Sequence, residues 1–241
     1  MGTATLVGTG VVLFLGSLIQ RVTGMGLALV ASPLLVLVLG ATTGVQLVQV
    51  VGLVVCAASA WMLRRDINYG RVGILLAASL FGIVPGSWMA RSLPSSWLMI
   101  VIGCITLVAL FSTRVLQRSN VFTGRKGTAI AGGLSGFMNV AAGVGGPPMV
   151  IYANSTNWLY SEYVATVQLF FAGVNVLSLV GRGFPVVTHT AWIVVVVSAG
   201  AGLLIGHLVG HRIKDDFARK AIFVIALLGS LAAVVRGVMA L

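Results

Sequence analysis

The chain of 241 residues is 59% hydrophobic and only 8% charged, with a mean hydropathy of +1.09 and a net charge of +11. A soluble domain carries about 25% charged residues, so this composition excludes a soluble fold and leaves room for about eight spans of about 20 residues each. The basic residues are dispersed between apolar runs, which excludes nucleic acid as a partner and marks them as loop charges that orient the chain in a bilayer.

In chain order, apolar segments cover about 4–20 and 27–41, then 44–63, 72–90 and 97–113. A basic linker follows, with Arg114, Arg118, Arg125 and Lys126. The second half gives about 128–138 and 144–154, then 161–181, 190–210 and 220–240. Period-two alternation is missing, so helices rather than barrel strands are expected. No stretch is long or polar enough for a separate soluble domain, and residues 1–241 read as one membrane domain. The N-terminus has no basic n-region and no clear cleavage site, so no cleaved signal peptide is expected. Cys56 and Cys104 both lie in apolar runs and read as small buried hydrophobes.

Two glycine-rich breaks interrupt this pattern, one in each half. The first is Gln20-Arg21-Val22-Thr23-Gly24-Met25-Gly26. The second is Asn139-Val140-Ala141-Ala142-Gly143-Val144-Gly145-Gly146-Pro147-Pro148. At an offset of 119 residues Gly24 falls on Gly143, Gly26 on Gly145, Gln20 on Asn139 and Gln49 on Gln168. At 120, Gly82 and Gly86 fall on Gly202 and Gly206. Two repeats follow, about 1–116 and about 127–241. Paired broken segments point to a transporter's binding site, because irregular backbone survives at membrane depth only where it is buried or lines a cavity.

The charge distribution sets the expected topology. Basic clusters occur at Arg64, Arg65 and Arg71, at Arg114–Lys126, and at Arg212, Lys214, Arg219 and Lys220. All three fall on the cytoplasmic side if each broken segment enters, breaks and returns. The expected fold is therefore all-α and integral to the membrane, with two inverted repeats. Each repeat is a broken, re-entrant-like hairpin followed by three transmembrane helices. The glycine pairs Gly82-x-x-x-Gly86 and Gly202-x-x-x-Gly206-x-x-x-Gly210 read as close helix packing within the monomer.

At the breaks the chain resembles the sulfite exporter TauE/SafE family, also called the toluene-sulfonate uptake permeases. Each half of those proteins begins with a glycine-rich element ending in proline. Here the copies are Gly24-Met25-Gly26-Leu27-Ala28-Leu29-Val30-Ala31-Ser32-Pro33 and Gly136 through Pro148. The first copy has Leu27 and Ala28 where the family continues its glycine run, and the second brings proline up against the glycines. The resemblance implies secondary transport of a small sulfur-containing anion, such as sulfite, a sulfonate or sulfoacetate, across the plasma membrane, of the bacterial cytoplasmic type.

The chemistry of the breaks fits an anion. A helix N-terminus carries about half a positive charge, and glycines let an anion approach successive backbone N–H groups. Candidate ligands are Gln20, Arg21, Thr23, Gly24, Gly26, Gln49, Asn139, Gly143, Gly145, Gly146 and Gln168. The amides can donate without fixed charge, with interhelical hydrogen bonding as their bland alternative. Arg21 has two readings, an interfacial arginine at a span end or the anion's counter-charge. Arg91 and Arg182 read as loop or interface charges. The four acids, Asp66, Glu162, Asp215 and Asp216, offer no carboxylate proton relay in a span. His207 is the one histidine placed to titrate within a span, while His189 and His211 read as interfacial. The histidines, acids and cysteines are too scattered for a metal site or an enzyme's membrane-face cluster, and no cofactor is expected. The expected partners are the anion and the surrounding lipid, with a coupling ion such as a proton, and the oligomeric state, left unassigned. The alternatives are an anion channel or a membrane subunit of a larger complex.

Overall fold

A computed structural model describes residues 2–23, 26–115, 120–209 and 215–241, with the backbone alone at a few positions beside the gaps. Its ten α-helices are α1 (Thr3–Thr23), α2 (Gly26–Leu39), α3 (Ala41–Met62), α4 (Tyr69–Ser92), α5 (Ser95–Val115), α6 (Gly124–Ala142), α7 (Gly146–Ser155), α8 (Tyr160–Arg182), α9 (His189–Val209) and α10 (Asp215–Met239). A short 3-10 turn, Asn120–Phe122, precedes α6. The described residues contain no strand.

Every apolar segment of the sequence is a helix, with ends displaced by a few residues. The largest displacements are at α6 and α10, whose first turns include Arg125 and Lys126, and Asp215 and Asp216. Hydropathy marks only the part of a helix that sits in hydrocarbon, so polar end turns escape it. Seven helices among the described residues are long and apolar enough to cross a membrane: α1, α3, α4, α5, α8, α9 and α10. The protein is therefore an integral membrane protein. Many of its large apolar side chains are exposed, among them Phe81, Val180 and Leu204, as a lipid-facing surface requires.

Each half opens with a helical hairpin of unequal arms. Gly16 lies against Leu27 and Ala31, and Gly8 against Val38, so α2 runs back along α1. Ser135 bonds to Gly145, and Thr128 to Tyr152, so α7 runs back along α6. At 1.5 Å per residue the 14-residue α2 and 10-residue α7 extend about 21 and about 15 Å. Neither can cross a hydrocarbon core of about 30 Å. Gly40, at φ +87°, then turns the chain sharply into α3, whose Gly44 sits against the backbone of Leu35 and Val36.

The middle of the bundle is α3 against α8. Burial reaches 56% and 61% in these two, against 28–39% in the other spans, so they form the core around which the rest is arranged. They run antiparallel: Gln46 bonds to Gly183, Gly52 faces Asn175, and Asn68 just beyond α3 bonds to Glu162 and Thr166. The pair α5 and α10 is antiparallel too, with Gly103 near Ser230 and Gly237 near Ser96.

Two further pairs exchange between the halves. Helix α1 packs along α9, with Gly10 near Val194 and Ser198, and Gly202 against Phe14 and Ser17. Helix α4 packs along α6, with Gly132 against Leu75 and Ala78, and Gly82 against Gly133 and Phe137. Both pairs run parallel. The glycine-spaced faces therefore serve packing within the monomer, where lost side-chain volume allows backbone contact. Gly210, the last of that series, lies outside the described residues.

These close approaches generate a stability prediction. A Cβ on Gly82 would strike the Gly133 carbonyl and come within 2.7 Å of the Phe137 nitrogen, both backbone atoms that cannot swing away. Gly82→Leu should lower stability by about 1–3 kcal/mol or more, a fall in melting temperature of about 2–4 °C per kcal/mol. Gly200 in α9 has nothing within 4 Å of such a Cβ, so Gly200→Ala should be neutral or stabilising by up to about 1 kcal/mol. Thermal melting in detergent checks both; equal melting of the two variants contradicts the packing account.

Candidate functional site

Helix α6 ends inside the protein, not at an aqueous surface. The last four carbonyls of a helix have no intrahelical partner, and in a membrane no bulk water is available to them. Each is met by a specific donor. The Gly143 N–H bonds to the Asn139 carbonyl at 2.6 Å, made possible by a left-handed conformation at Gly143, φ +72°. Gln49 Nε2 donates to the same carbonyl at 3.0 Å. Arg182 Nη1 donates to the carbonyls of Val140 (2.9 Å) and Ala141 (3.0 Å). Ser32 Oγ donates to the Ala142 carbonyl.

Arg182 is thus not the loop or interface charge its sequence position suggests. It is 5% exposed, and its Nη2 also donates to the Ala41 carbonyl at 2.9 Å. Its planar fork reaches two helix ends at once, which an ammonium could not match. The non-helical part of the second break is correspondingly narrow. Helix α6 continues through Ala142, and Pro147 and Pro148 fall in the first turn of α7, where their fixed φ suits a helix start.

The two breaks meet at one cavity between the halves. The α1–α2 hairpin contributes Gln20, Leu27 and Ala28, and the α6–α7 hairpin contributes Asn139, Gly143, Gly145 and Gly146. Helix α3 supplies Val48, Gly52 and Cys56, and α8 supplies Val167, Gln168, Phe171 and Asn175. About 60 Å³ is reachable by the centre of a water-sized molecule. That is room for a few waters or one compact anion. Among the described residues, none that lines the cavity carries a charge.

The polar groups of the cavity are amides and backbone N–H groups held in place by the surrounding helices. Gln20 Oε1 accepts from the Leu27 N–H at 3.0 Å, which ties the end of α1 to the first turn of α2. Asn139 Oδ1 accepts from Ser178 Oγ at 3.1 Å, leaving its amide nitrogen to donate. Gln168 is 6% exposed and Asn175 5% exposed, and neither amide has a partner among the described residues. The N–H groups of Gly145 and Gly146 are likewise unpartnered, while Pro147 and Pro148 have none to offer.

The candidate residues from the sequence therefore divide. Gln20, Asn139, Gly143, Gly145, Gly146 and Gln168 come together around the cavity. Gln49 does not line it; it is 1% exposed and holds the end of α6. Gly24 lies outside the described residues, as do the side chains of Arg21 and Thr23 and the surroundings of Gly26. The side chain of His207, and His211 entirely, are also outside them; His189 is exposed at the start of α9. Sequence reading missed Asn175, Phe171, Gly52 and Cys56. The signal for them was present: Cys56 and Asn175, and Gly52 and Phe171, stand at the same offset of 119 residues as the two breaks.

Removing the guanidinium tests the account of the α6 terminus. Arg182→Met leaves the carbonyls of Val140, Ala141 and Ala41 without that donor, at about 1–3 kcal/mol for each buried group. The expected loss is several kcal/mol, with Arg182→Lys recovering only part of it. Melting of Arg182→Met close to that of the parent protein contradicts the capping role.

One family model, Sulfite exporter TauE/SafE, matches residues 9–233, nearly the whole chain. No curated protein and no solved structure matches it significantly. The extent of the match, the membrane-spanning helices and the internal break all agree with that assignment. The chain belongs to the sulfite exporter TauE/SafE family and is an integral membrane transporter, not an enzyme.

Proposed function

We propose that the cavity between the two breaks holds the transported substrate, a small sulfur oxyanion such as sulfite or a sulfonate. We further propose that the halves form an inverted repeat whose relative movement opens the cavity to each side of a cytoplasmic membrane in turn. One observation carries this reading. Five pairs of cavity-lining residues stand at the single offset of 119: Gln20 with Asn139, Leu27 with Gly146, Val48 with Val167, Gly52 with Phe171, and Cys56 with Asn175. A cavity built from matched positions of two repeats is where alternating-access transporters bind their cargo.

The chain directions support the inverted arrangement. A two-fold axis in the membrane plane turns each helix into an antiparallel counterpart, and α3 with α8, and α5 with α10, are antiparallel. The exchanged pairs α1–α9 and α4–α6 are what the same axis makes equivalent. The donors are neutral amides and backbone N–H groups, which bind an anion without the slow release of a fixed ion pair.

Two experiments test the proposal. Following the helix directions, the starts of α4, α6 and α8 and the end of α9 share one side, which carries Arg64, Arg65, Arg71, Arg125 and Lys126. Single cysteines at Tyr69 and at Asp215 should label from that same, cytoplasmic side; labelling from opposite sides contradicts the inverted repeat. For the site, Gln168→Met removes an amide that has no partner among the described residues. Replacing an unpartnered buried polar group by an apolar one is neutral or stabilising for the fold, so melting should not fall. Sulfite binding should weaken at least about tenfold, a difference of about 1.4 kcal/mol. Unchanged binding in folded Gln168→Met removes this wall of the cavity from the site.

A further inference from the structure

We infer that the cavity selects its ligand by charge, taking singly charged oxyanions and rejecting dianions. The inference rests on the assignment of the cavity as the anion site. Two helices begin at its wall, α2 with Leu27 and Ala28, and α7 with Gly145 and Gly146. Each N-terminus carries about half an elementary positive charge, so together they supply about one. Among the described residues no lining side chain adds to it, and the one buried cation nearby, Arg182, is turned away onto three backbone carbonyls. A monoanion is thereby matched. A dianion leaves one charge uncompensated in a water-poor site, and the cost of desolvating an ion grows with the square of its charge.

The lining points to the same ligand shape. Gln168 and Asn175 present buried amides on α8 that have no partner among the described residues, and Asn139 adds a nitrogen from the end of α6. Phe171 and Val48 close the remaining wall with apolar surface. A dianion such as sulfate has charged oxygens in every direction and meets that apolar surface with one of them. Hydrogensulfite and an alkylsulfonate concentrate one charge over two or three oxygens and turn a protonated or carbon-bearing side to it. The shared chemistry is a singly charged sulfur oxyanion, and the experiment separates the two sources.

Purified protein is titrated with methanesulfonate, sulfite and sulfate, with affinity read from thermal shift or calorimetry. Methanesulfonate is a monoanion, and sulfate a dianion, throughout the accessible pH range. Methanesulfonate should bind at least about tenfold more tightly than sulfate. Sulfite affinity should fall by up to about tenfold per pH unit above its second ionisation, while methanesulfonate affinity stays level and so controls for titration of the protein. If only hydrogensulfite binds, methanesulfonate fails while the sulfite slope remains, and the charge rule stands with the carbon-bearing ligand removed. Gln168→Glu, close in size but negatively charged, should abolish binding of every anion that the parent protein binds. Arg21→Gln should leave the preference for monoanions intact; loss of anion binding in it shows a side-chain cation balancing the ligand and overturns the inference. Sulfate binding as tightly as methanesulfonate, both lost in Gln168→Glu, overturns the charge rule and leaves the site standing. Binding that Gln168→Glu does not weaken, or no binding at all, overturns the site and the inference together.

Discussion

A helix that ends inside a membrane must find partners for its last carbonyls within the protein, and the end of α6 is the point on which this architecture turns. Gln49 from α3, Arg182 from α8, Ser32 from α2 and the Gly143 N–H all converge there. Three other helices are thereby tied to one backbone terminus. The chain can then reverse through only Gly143, Val144 and Gly145 and start α7 at the wall of the cavity. Without those donors the carbonyls at this buried helix end would be left unpaired, which destabilises the α6–α7 hairpin.

The same constraint explains why a buried arginine needs no acid. Transfer of a charge into a low-dielectric interior is costly unless hydrogen bonds meet it, and helix C-terminal carbonyls carry about half a negative charge between them. Arg182 sits at the C-terminus of α6 and bonds to the Ala41 carbonyl as well. Gln46 closes the neighbouring end of α8 by donating to Gly183 at 2.9 Å. Arg236 does likewise for α2 at Leu37, and Arg91 for α8 at Val180. Basic and amide side chains cap helix ends throughout this face, while acids are confined to the opposite one, where Glu162 lies 3.8 Å from Arg71.

Packing and site formation use different parts of each helix. Glycine-lined faces bring α4 against α6 and α1 against α9, so the hairpin of one half is held by the fourth helix of the other. The cavity lies instead along α3 and α8, which are the most buried spans. In the inverted-repeat reading, hairpins carried on the outer pairs move against a central pair that bears the amides.

Much of this was legible in the chain itself. Hydropathy placed all ten helices, because apolar length is a local property that lipid imposes directly. The glycine and proline clusters placed the two breaks, and the offset of 119 tied them together, because backbone freedom and its loss are also local. What the sequence left open was which way each polar side chain faces. Gln49 and Gln168 occupy matched positions, yet Gln49 holds the end of α6 while Gln168 lies unpartnered at the cavity. Arg182 reads as an end charge and is buried; Asn175 reads as one more polar residue in a span and faces the cavity. The sequence determined spans and breaks from local preference. Only the tertiary structure decided the roles of the amides and the arginine, because a side chain's partner depends on how its helix is rotated and on which neighbour packs against it.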